Sequence, residues 1–210
     1  MPAADATVNV WIVRADEPDP RHSPEALSGA LSPHERARAD AYRDEVVRRR
    51  FIVARAAFRE ILGGYLGLQP SEIVFRRTRA GMPVVAGTTL RVSTSRRNGL
   101  ALLAVSGRPV GVDLEYVRAG LWTPAFAESC FGTRSCTADT QELFRLWTRR
   151  EAVAKLRGTG IPAPEPPTDA VVFEDLPVPG EYVATLTVFE PAARVAVHDW
   201  PPRPPASRRT

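Results

Sequence analysis

One apolar stripe constrains the fold of this 210-residue chain more than any other feature of the sequence. Residues three, four and seven positions apart lie on one face of an α-helix, so the stripe predicts a long amphipathic helix. Because such a helix is stable only when its apolar face is covered, we expect a sheet to pack against it. The members of the stripe are Phe51, Ala54, Phe58, Ile61, Leu62 and Tyr65.

Strand-like runs lie on both sides of this predicted helix. Residues 8–13 alternate as a half-buried strand does. Residues 106–109, Ser-Gly-Arg-Pro, predict a hairpin turn between the two runs that flank them. The last three runs in the chain predict a second small sheet. The runs after the first are residues 73–75, 100–105, 110–116, 170–173, 182–189 and 194–200.

Two further helix starts are marked by their capping residues. Residues 32–35, Ser-Pro-His-Glu, form a capping box with proline at the first helical position. Residues 139–142, Asp-Thr-Gln-Glu, have a similar pattern and open a helix that Gly158 is placed to end. Each half of the chain therefore combines strands with a long helix, which predicts the α+β class.

Composition is that of an ordinary globular protein. The hydrophobic fraction is 44% and the charged fraction 25%, values typical of soluble domains. The net charge of +4 favours an anionic partner such as a nucleotide or an acidic carrier domain. No recognisable binding motif accompanies the arginines, so nucleic acid is not an expected partner.

Targeting and redox features predict a cytoplasmic protein. The first residues do not have the basic and apolar regions of a signal peptide, and no apolar run is long enough for a membrane span. Cys130 and Cys136 are the only cysteines and are expected as reduced thiols, not as a disulfide or a zinc site. We expect a monomer with no membrane partner.

Two short acidic segments carry the candidate chemistry. Asp113 and Glu115 lie two positions apart in a predicted strand, so their carboxylates point to the same side. Glu151 and Lys155 lie four positions apart in a predicted helix and share a face. Together the segments provide carboxylate ligands for a divalent cation and a positive charge that can face a phosphate. Each segment also has a plainer interpretation, the solvent face of an edge strand or a surface ion pair.

These segments resemble the signatures of the 4′-phosphopantetheinyl transferase superfamily, in the two-lobed form that activates peptide and polyketide synthases. The family motif G-[IV]-D-[IL]-E corresponds to residues 111–115, Gly-Val-Asp-Leu-Glu. The family motif W-x-x-K-E-[AS]-x-x-K corresponds to residues 147–155, Trp-Thr-Arg-Arg-Glu-Ala-Val-Ala-Lys. Residues 48–51, 65–68 and 90–95 also look like the family, and the resemblance covers residues 32–200.

The resemblance implies a fold and a reaction. Two similar lobes, residues 1–106 and 107–200, are expected in pseudo-twofold arrangement with the active site between them, followed by a disordered tail at residues 201–210. The family transfers 4′-phosphopantetheine from coenzyme A to a serine of an acyl or peptidyl carrier protein and releases 3′,5′-ADP. We therefore expect Mg²⁺ as cofactor, coenzyme A as co-substrate and a carrier protein domain as partner.

The resemblance also implies roles for individual residues. Asp113, Glu115 and Glu151 match the metal-binding positions, and Glu151 is in addition the candidate base for the carrier serine. Lys155 is expected against the diphosphate, where it offsets charge on the leaving group. For each arginine of the expected coenzyme A site, a solvated helix face is an equally good interpretation. The residues of that site are Arg36, Arg38, Arg50, Ser93, Thr94 and Lys155.

Four positions depart from the family pattern. Thr94 stands where members usually have a histidine that contacts a coenzyme A phosphate, and a threonine hydroxyl cannot carry positive charge. Met82 replaces a lysine, Arg150 replaces a lysine but keeps its charge, and Ser135 stands where a glutamate is frequent.

These departures leave an alternative function open. The chain could be a homologue that has lost transferase activity and binds coenzyme A or a carrier protein as an accessory, or acts on a carrier-bound substrate. Arg96 and Arg97 directly follow Thr94 and are candidates to restore the charge that it lacks.

Overall fold

A computed structural model describes residues 7–17, 22–78, 83–131, 139–158 and 171–202. The sequence predictions that concern Met82, Ser135, Cys136 and residues 203–210 lie outside these ranges. The α+β class is confirmed. A division into lobes at residues 106 and 107, and a pseudo-twofold relation between them, remain predictions.

The described chain contains nine strands and five α-helices, numbered in chain order. The strands are β1 (Thr7–Arg14), β2 (Phe75–Arg77), β3 (Pro83–Val85), β4 (Arg91–Arg97), β5 (Leu100–Ser106), β6 (Val110–Tyr116), β7 (Val171–Asp175), β8 (Tyr182–Phe189) and β9 (Arg194–Trp200). The helices are α1 (Pro24–Leu27), α2 (Pro33–Asp40), α3 (Glu45–Leu66), α4 (Pro124–Phe131) and α5 (Thr140–Arg157).

Two main sheets contain most of the strands. The first sheet has the order β4-β5-β1-β9, in which β9 runs parallel to β1 and the other pairs are antiparallel. The second sheet has the order β6-β8-β7 and is antiparallel throughout. Strands β2 and β3 form a separate antiparallel pair.

The elements stack in four layers, α3, first sheet, second sheet and α5. Alternate residues of β1 and β5 face α3, and Val13 and Leu103 share one buried cluster with Phe51 and Phe58 of α3. The opposite residues of the same strands face the second sheet. Helix α5 covers the outer face of the second sheet, and the hydroxyls of Thr148 and Thr185 lie 2.9 Å apart there.

The helix boundaries follow the signals in the sequence. Ser32 and Glu35 form a complete capping box at the start of α2. At α5 the Asp139 side chain accepts from the Glu142 N–H, and Gly158 ends the helix with φ of 68°, a left-handed conformation that favours glycine. Five of the six residues of the predicted apolar stripe are buried on α3, whereas Tyr65, near the end of the helix, is 40% exposed.

Two strand predictions were wrong. Residues 106–109 do not close a hairpin, because β5 and β6 belong to different sheets. Strand β9, expected in the second small sheet, pairs with β1 in the first sheet instead. Both β5 and β6 are buried along almost their whole length, so their apolar pattern does not distinguish one sheet from the other.

No helix within the described ranges is both long enough and apolar enough to cross a membrane.

Candidate active site

The two sheets meet where the free edge of β6 lies against β4. Strand β6 pairs with β8 on one side only, so alternate amides of its other edge need acceptors. The Val112 N–H donates to the Ser93 hydroxyl at 3.0 Å, and the Leu114 N–H donates to the Ser95 hydroxyl at 3.2 Å. Ser93 is 1% exposed, and its hydroxyl links the two sheets. The expected role of Ser93 in binding coenzyme A therefore remains a prediction.

Gly111 lets helix α5 lie directly on β6. A Cβ atom at this position would meet the Ala152 carbonyl oxygen at 2.0 Å, closer than any side chain is tolerated. This close approach brings the helix residues on either side of Ala152, among them Glu151 and Lys155, next to the acidic segment of β6.

Lys155 joins α5 to both sheets. Its ammonium donates to the Asp113 Oδ1 at 2.7 Å, to the Val112 carbonyl at 3.0 Å and to the Thr94 carbonyl at 3.2 Å. A lysine ammonium has three N–H donors, so each of them has an acceptor in the protein. The structure thus brings Lys155 and Asp113 together, from two segments that are far apart in the sequence.

The carboxylate of Asp113 is buried, but only one of its two oxygens has hydrogen-bond partners within the described chain. Its Oδ1 accepts from Lys155 and, at 2.9 Å, from the Ser95 hydroxyl. Its Oδ2 has no hydrogen-bond partner within the described chain, although the residue is only 5% exposed. Asp113 is therefore buried where β4, β6 and α5 meet, a region that we call the cleft, and not on an exposed strand face. It carries an acceptor that a ligand could satisfy.

Glu115 forms an ion pair that the sequence analysis did not predict. Both its oxygens accept from Arg97, which donates through Nε and Nη2 from strand β4. The signal was present in the sequence, because Ser93, Ser95 and Arg97 alternate along β4 and so face the same side. The sequence does not indicate that this side of β4 faces β6.

Glu151 lies beside both carboxylates of β6 and has a perturbed pKa. Burial raises the pKa of its carboxyl above the ordinary value, and the charges of Asp113 and Glu115 raise it further, whereas Lys155 acts in the opposite direction. Carboxylates with raised pKa values beside like charges are a common feature of catalytic and metal sites.

The carboxylates of Asp113, Glu115 and Glu151 form an acidic group that fits a divalent cation in chemistry more than in spacing. In the part of the chain that the structure describes, no group of three or more His, Cys, Asp and Glu side chains is close enough to hold a metal ion. The donor chemistry nevertheless suits Mg²⁺, which prefers carboxylate oxygens and substrate phosphates. The buried, unpaired Oδ2 of Asp113 is the acceptor that such a cation would satisfy, so we regard the residues as compatible with Mg²⁺.

A cationic cluster surrounds Phe51 on the other face of β4. The guanidinium groups of Arg38 and Arg96 lie 5.2 and 5.6 Å from the centroid of the Phe51 ring. Burial lowers the pKa of Arg96, and the neighbouring charges of Arg55 and Arg38 lower it further. Strand alternation places Thr94 on the same side as Arg96. The concentration of like charge would attract an anion.

Arg36 and Arg50, two other predicted coenzyme A residues, contact protein groups instead. Arg36 donates to the Leu31 carbonyl at 2.5 Å. Arg50 binds Asp16 through two nitrogens, at 2.9 and 2.6 Å. Arg50 also lines a cavity of about 290 Å³ beside Phe51 and Arg96. The structure therefore brings Arg38, Thr94 and Arg50 near Arg96, with Arg50 paired to Asp16, whereas Arg36 donates to the backbone of residue 31.

Comparison with known proteins decides the family. A model of the 4′-phosphopantetheinyl transferase superfamily matches residues 109–200. The chain is 35% identical over 167 residues to the 4′-phosphopantetheinyl transferase HetI of Nostoc sp., covering 73% of this chain and 70% of that protein. The chain belongs to the 4′-phosphopantetheinyl transferase superfamily.

Two other members of the superfamily have lower similarity. The 4′-phosphopantetheinyl transferase psf-1 of Bacillus pumilus is 30% identical over 155 residues, which cover 70% of this chain and 66% of that protein. A phosphopantetheinyl transferase of Thraustochytrium sp. is 27% identical over 180 residues, covering 74% of this chain and 62% of that protein. The stretch that matches the superfamily model, residues 109–200, contains both acidic motifs.

Proposed function

We propose that this superfamily member transfers 4′-phosphopantetheine from coenzyme A to a serine of an acyl or peptidyl carrier protein, in a Mg²⁺-dependent reaction. The observation that carries the proposal is the 2.7 Å contact between Lys155 and Asp113. It joins the two family motifs in one cleft, with Glu151 close to both carboxylates of β6.

The proposed reaction exchanges one phosphorus–oxygen bond for another. The serine oxygen of the carrier attacks the phosphorus atom that bears the pantetheine arm, and the bond from that phosphorus to 3′,5′-ADP breaks. The serine proton passes to a base, and 3′,5′-ADP leaves with the bonding electron pair. Phosphoryl transfer of this kind depends on positioning and on stabilisation of charge.

Asp113 and Glu151 would hold the metal ion together with oxygens of the substrate, and Glu115 would join them when Arg97 releases it. When bound, Mg²⁺ neutralises charge on the diphosphate and on the leaving phosphate. Asp113 would use its unpaired Oδ2, because its Oδ1 already accepts from Lys155 and Ser95.

Glu151 is our candidate for the base that receives the serine proton, directly or through a water. A carboxylate within hydrogen-bond reach of a hydroxyl, or one water away from it, can act as such a base. Lys155 would stabilise negative charge on the diphosphate as it develops. To do so it must exchange one of its three protein acceptors for a phosphate oxygen.

The 3′-phosphate of coenzyme A would bind at the cationic cluster around Phe51. Arg96 supplies there the charge that Thr94 lacks, and Arg38 lies over the same ring. Guanidinium groups suit phosphate because they can donate two parallel hydrogen bonds. Arg36 and Arg50 are less suitable, since both donate to protein groups.

Intact-mass spectrometry tests the proposal. A panel of apo-carrier proteins is incubated with this protein, coenzyme A and Mg²⁺, and a parallel series contains EDTA. We expect at least one carrier to gain a single phosphopantetheine, and we expect EDTA to prevent the gain. Activity that persists in EDTA would contradict the metal site while leaving the transfer reaction intact.

The accessory function remains the second candidate because of one observation. Arg97 and Lys155 hold two of the three carboxylates in ion pairs, an arrangement that a protein without catalysis could retain for stability. Calorimetry that detects coenzyme A binding, together with no mass gain on any carrier of the panel, would support this second candidate over the first.

A further inference from the structure

Arg97 and Glu115 form the most complete ion pair in the cleft. The guanidinium approaches with Nε and Nη2, and each carboxylate oxygen accepts one of these donors. The Glu115 side chain is 11% exposed, whereas that of Arg97 is 45% exposed. Parallel hydrogen bonds of this kind are among the stronger charged contacts in proteins.

Asp113 is held differently from Glu115. Lys155 contacts only Oδ1 of Asp113, and Oδ2 has no partner in the described part of the chain. Asp113 thus has one oxygen without a partner in that part of the chain, whereas each oxygen of Glu115 already accepts a hydrogen bond from Arg97. The two carboxylates of one motif therefore differ in availability, although the sequence presents them as equivalent.

We propose that Arg97 is an internal competitor of the divalent cation for Glu115, and that it lowers the metal affinity of the cleft until it is displaced. This inference rests on the metal site of the proposed function. The competition has a geometric part, because both oxygens of Glu115 are engaged, and an electrostatic part, because a guanidinium repels a nearby cation.

The electrostatic surroundings of Arg97 agree with this assignment. Its guanidinium donates to both oxygens of Glu115, and Asp113 lies two residues away on the same face of β6. Arg97 is therefore the positive charge that already balances Glu115 in this acidic segment.

Titration with Mn²⁺ alone, monitored by the electron paramagnetic resonance of the free ion, tests the inference without measuring activity. The variants are Arg97→Gln, which removes the charge and the two-point contact, and Arg97→Lys, which keeps the charge but not the planar fork. Arg91→Gln is the matched control, because Arg91 is an exposed arginine at the other end of the same strand. Circular dichroism confirms that each variant is folded.

We expect Arg97→Gln to bind Mn²⁺ about tenfold more tightly than the unmodified protein, a change on the scale of one charged hydrogen-bonded pair. Arg97→Lys should be intermediate, and Arg91→Gln should be unchanged. In a Glu115→Gln background the Arg97→Gln effect should fall to about twofold or less, because the carboxylate for which Arg97 competes is absent.

Two results would overturn the inference alone. One is equal Mn²⁺ affinity with and without Arg97, and the other is an Arg97→Gln effect that persists at full size in the Glu115→Gln background, which indicates only a general charge effect. A third result, no Mn²⁺ binding to any folded variant, would overturn the proposed metal site and this inference together.

Discussion

Glu35 and Asp113 are both buried carboxylates held by cations, yet their hydrogen bonds are completed to different degrees. Each oxygen of Glu35 accepts two hydrogen bonds, from Arg55 on one side and from Arg59 and the Ser32 N–H on the other. Asp113 accepts two at Oδ1 and has no partner at Oδ2 in the described chain.

The pKa values of the two clusters follow this difference. Burial alone would raise the pKa of Glu35, but the Ser32 N–H and the two arginines outweigh it, and the net shift is downward. In the cleft, burial and neighbouring carboxylates raise the pKa of Glu151. A complete network stabilises the fold, whereas an incomplete one leaves charge available for a ligand. We therefore assign the first cluster to stability and the second to function.

Removing the Glu35 charge should have the largest effect on stability. Glu35→Gln leaves Arg59, itself 2% exposed, without its ionic partner. We expect a loss of about 3–5 kcal/mol in the free energy of unfolding, measured by urea denaturation. The control is Glu45→Gln, at an exposed position of α3, and it should lower the free energy of unfolding by less than about 1 kcal/mol. A small loss for Glu35→Gln would remove the distinction between the two clusters.

Removing charge from α5 in the cleft should lower the rate of transfer instead. We expect Glu151→Gln and Lys155→Ala each to slow single-turnover transfer to an apo-carrier by roughly 100- to 1000-fold. Lys155→Ala should weaken coenzyme A binding much less than it lowers the rate, because its contribution grows as the phosphate leaves. Near-normal rates for both variants would show that Glu151 and Lys155 are an ordinary surface pair without a role in transfer.

The cationic cluster around Phe51 allows a smaller test, of ligand binding. Arg96→Gln should weaken 3′,5′-ADP binding by about 1.5–3 kcal/mol in calorimetry, the scale of hydrogen bonds to charged groups. Arg36→Gln is the control, because Arg36 donates to the Leu31 carbonyl and should change binding little. If Thr94→His tightens binding by the full amount while Arg96→Gln has no effect, then Arg96 does not replace the missing imidazole.

Acid should also destabilise the protein through Glu35, but by less than the Glu35→Gln substitution as long as that carboxyl is only partly protonated. The pKa of Glu35 is lower in the folded protein than its ordinary value of 4.5. Its contribution to stability is therefore present above pH 4.5 and is lost as the pH falls from there towards the lower folded value. Urea midpoints measured across this range should fall more steeply for the unmodified protein than for Glu35→Gln. Parallel curves would show that Glu35 does not contribute.

Local features of the fold were predictable from the sequence because they depend on neighbouring residues. The stripe of α3, the capping box at Ser32 and the glycine that ends α5 all act over a few positions. The sheet membership of β6 and β9 was not predictable in this way, because it depends on pairing between distant strands. Apolar strands buried on both faces carry little information about their partners.

The candidate site shows the same limit. The two acidic motifs were recognisable in the sequence, and the structure brings Asp113, Glu151 and Lys155 into one cleft. The pairs Arg97–Glu115 and Arg50–Asp16 were not predicted, because their members lie 18 and 34 positions apart. Only the tertiary structure shows which arginines are committed to protein carboxylates and which face an open surface.

Asp113→Asn tests the central distinction most directly, since one variant reports on both stability and function. We expect transfer of phosphopantetheine to an apo-carrier to fall by roughly 1000-fold. The free energy of unfolding should fall by less than the loss of about 3–5 kcal/mol that a broken buried ion pair causes, because asparagine keeps an Oδ1 acceptor and Lys155 keeps two carbonyl acceptors. The opposite result, normal transfer with a loss of about 3–5 kcal/mol in stability, would place Asp113 with Glu35 among the structural charges and contradict the assignment of the cleft as an active site.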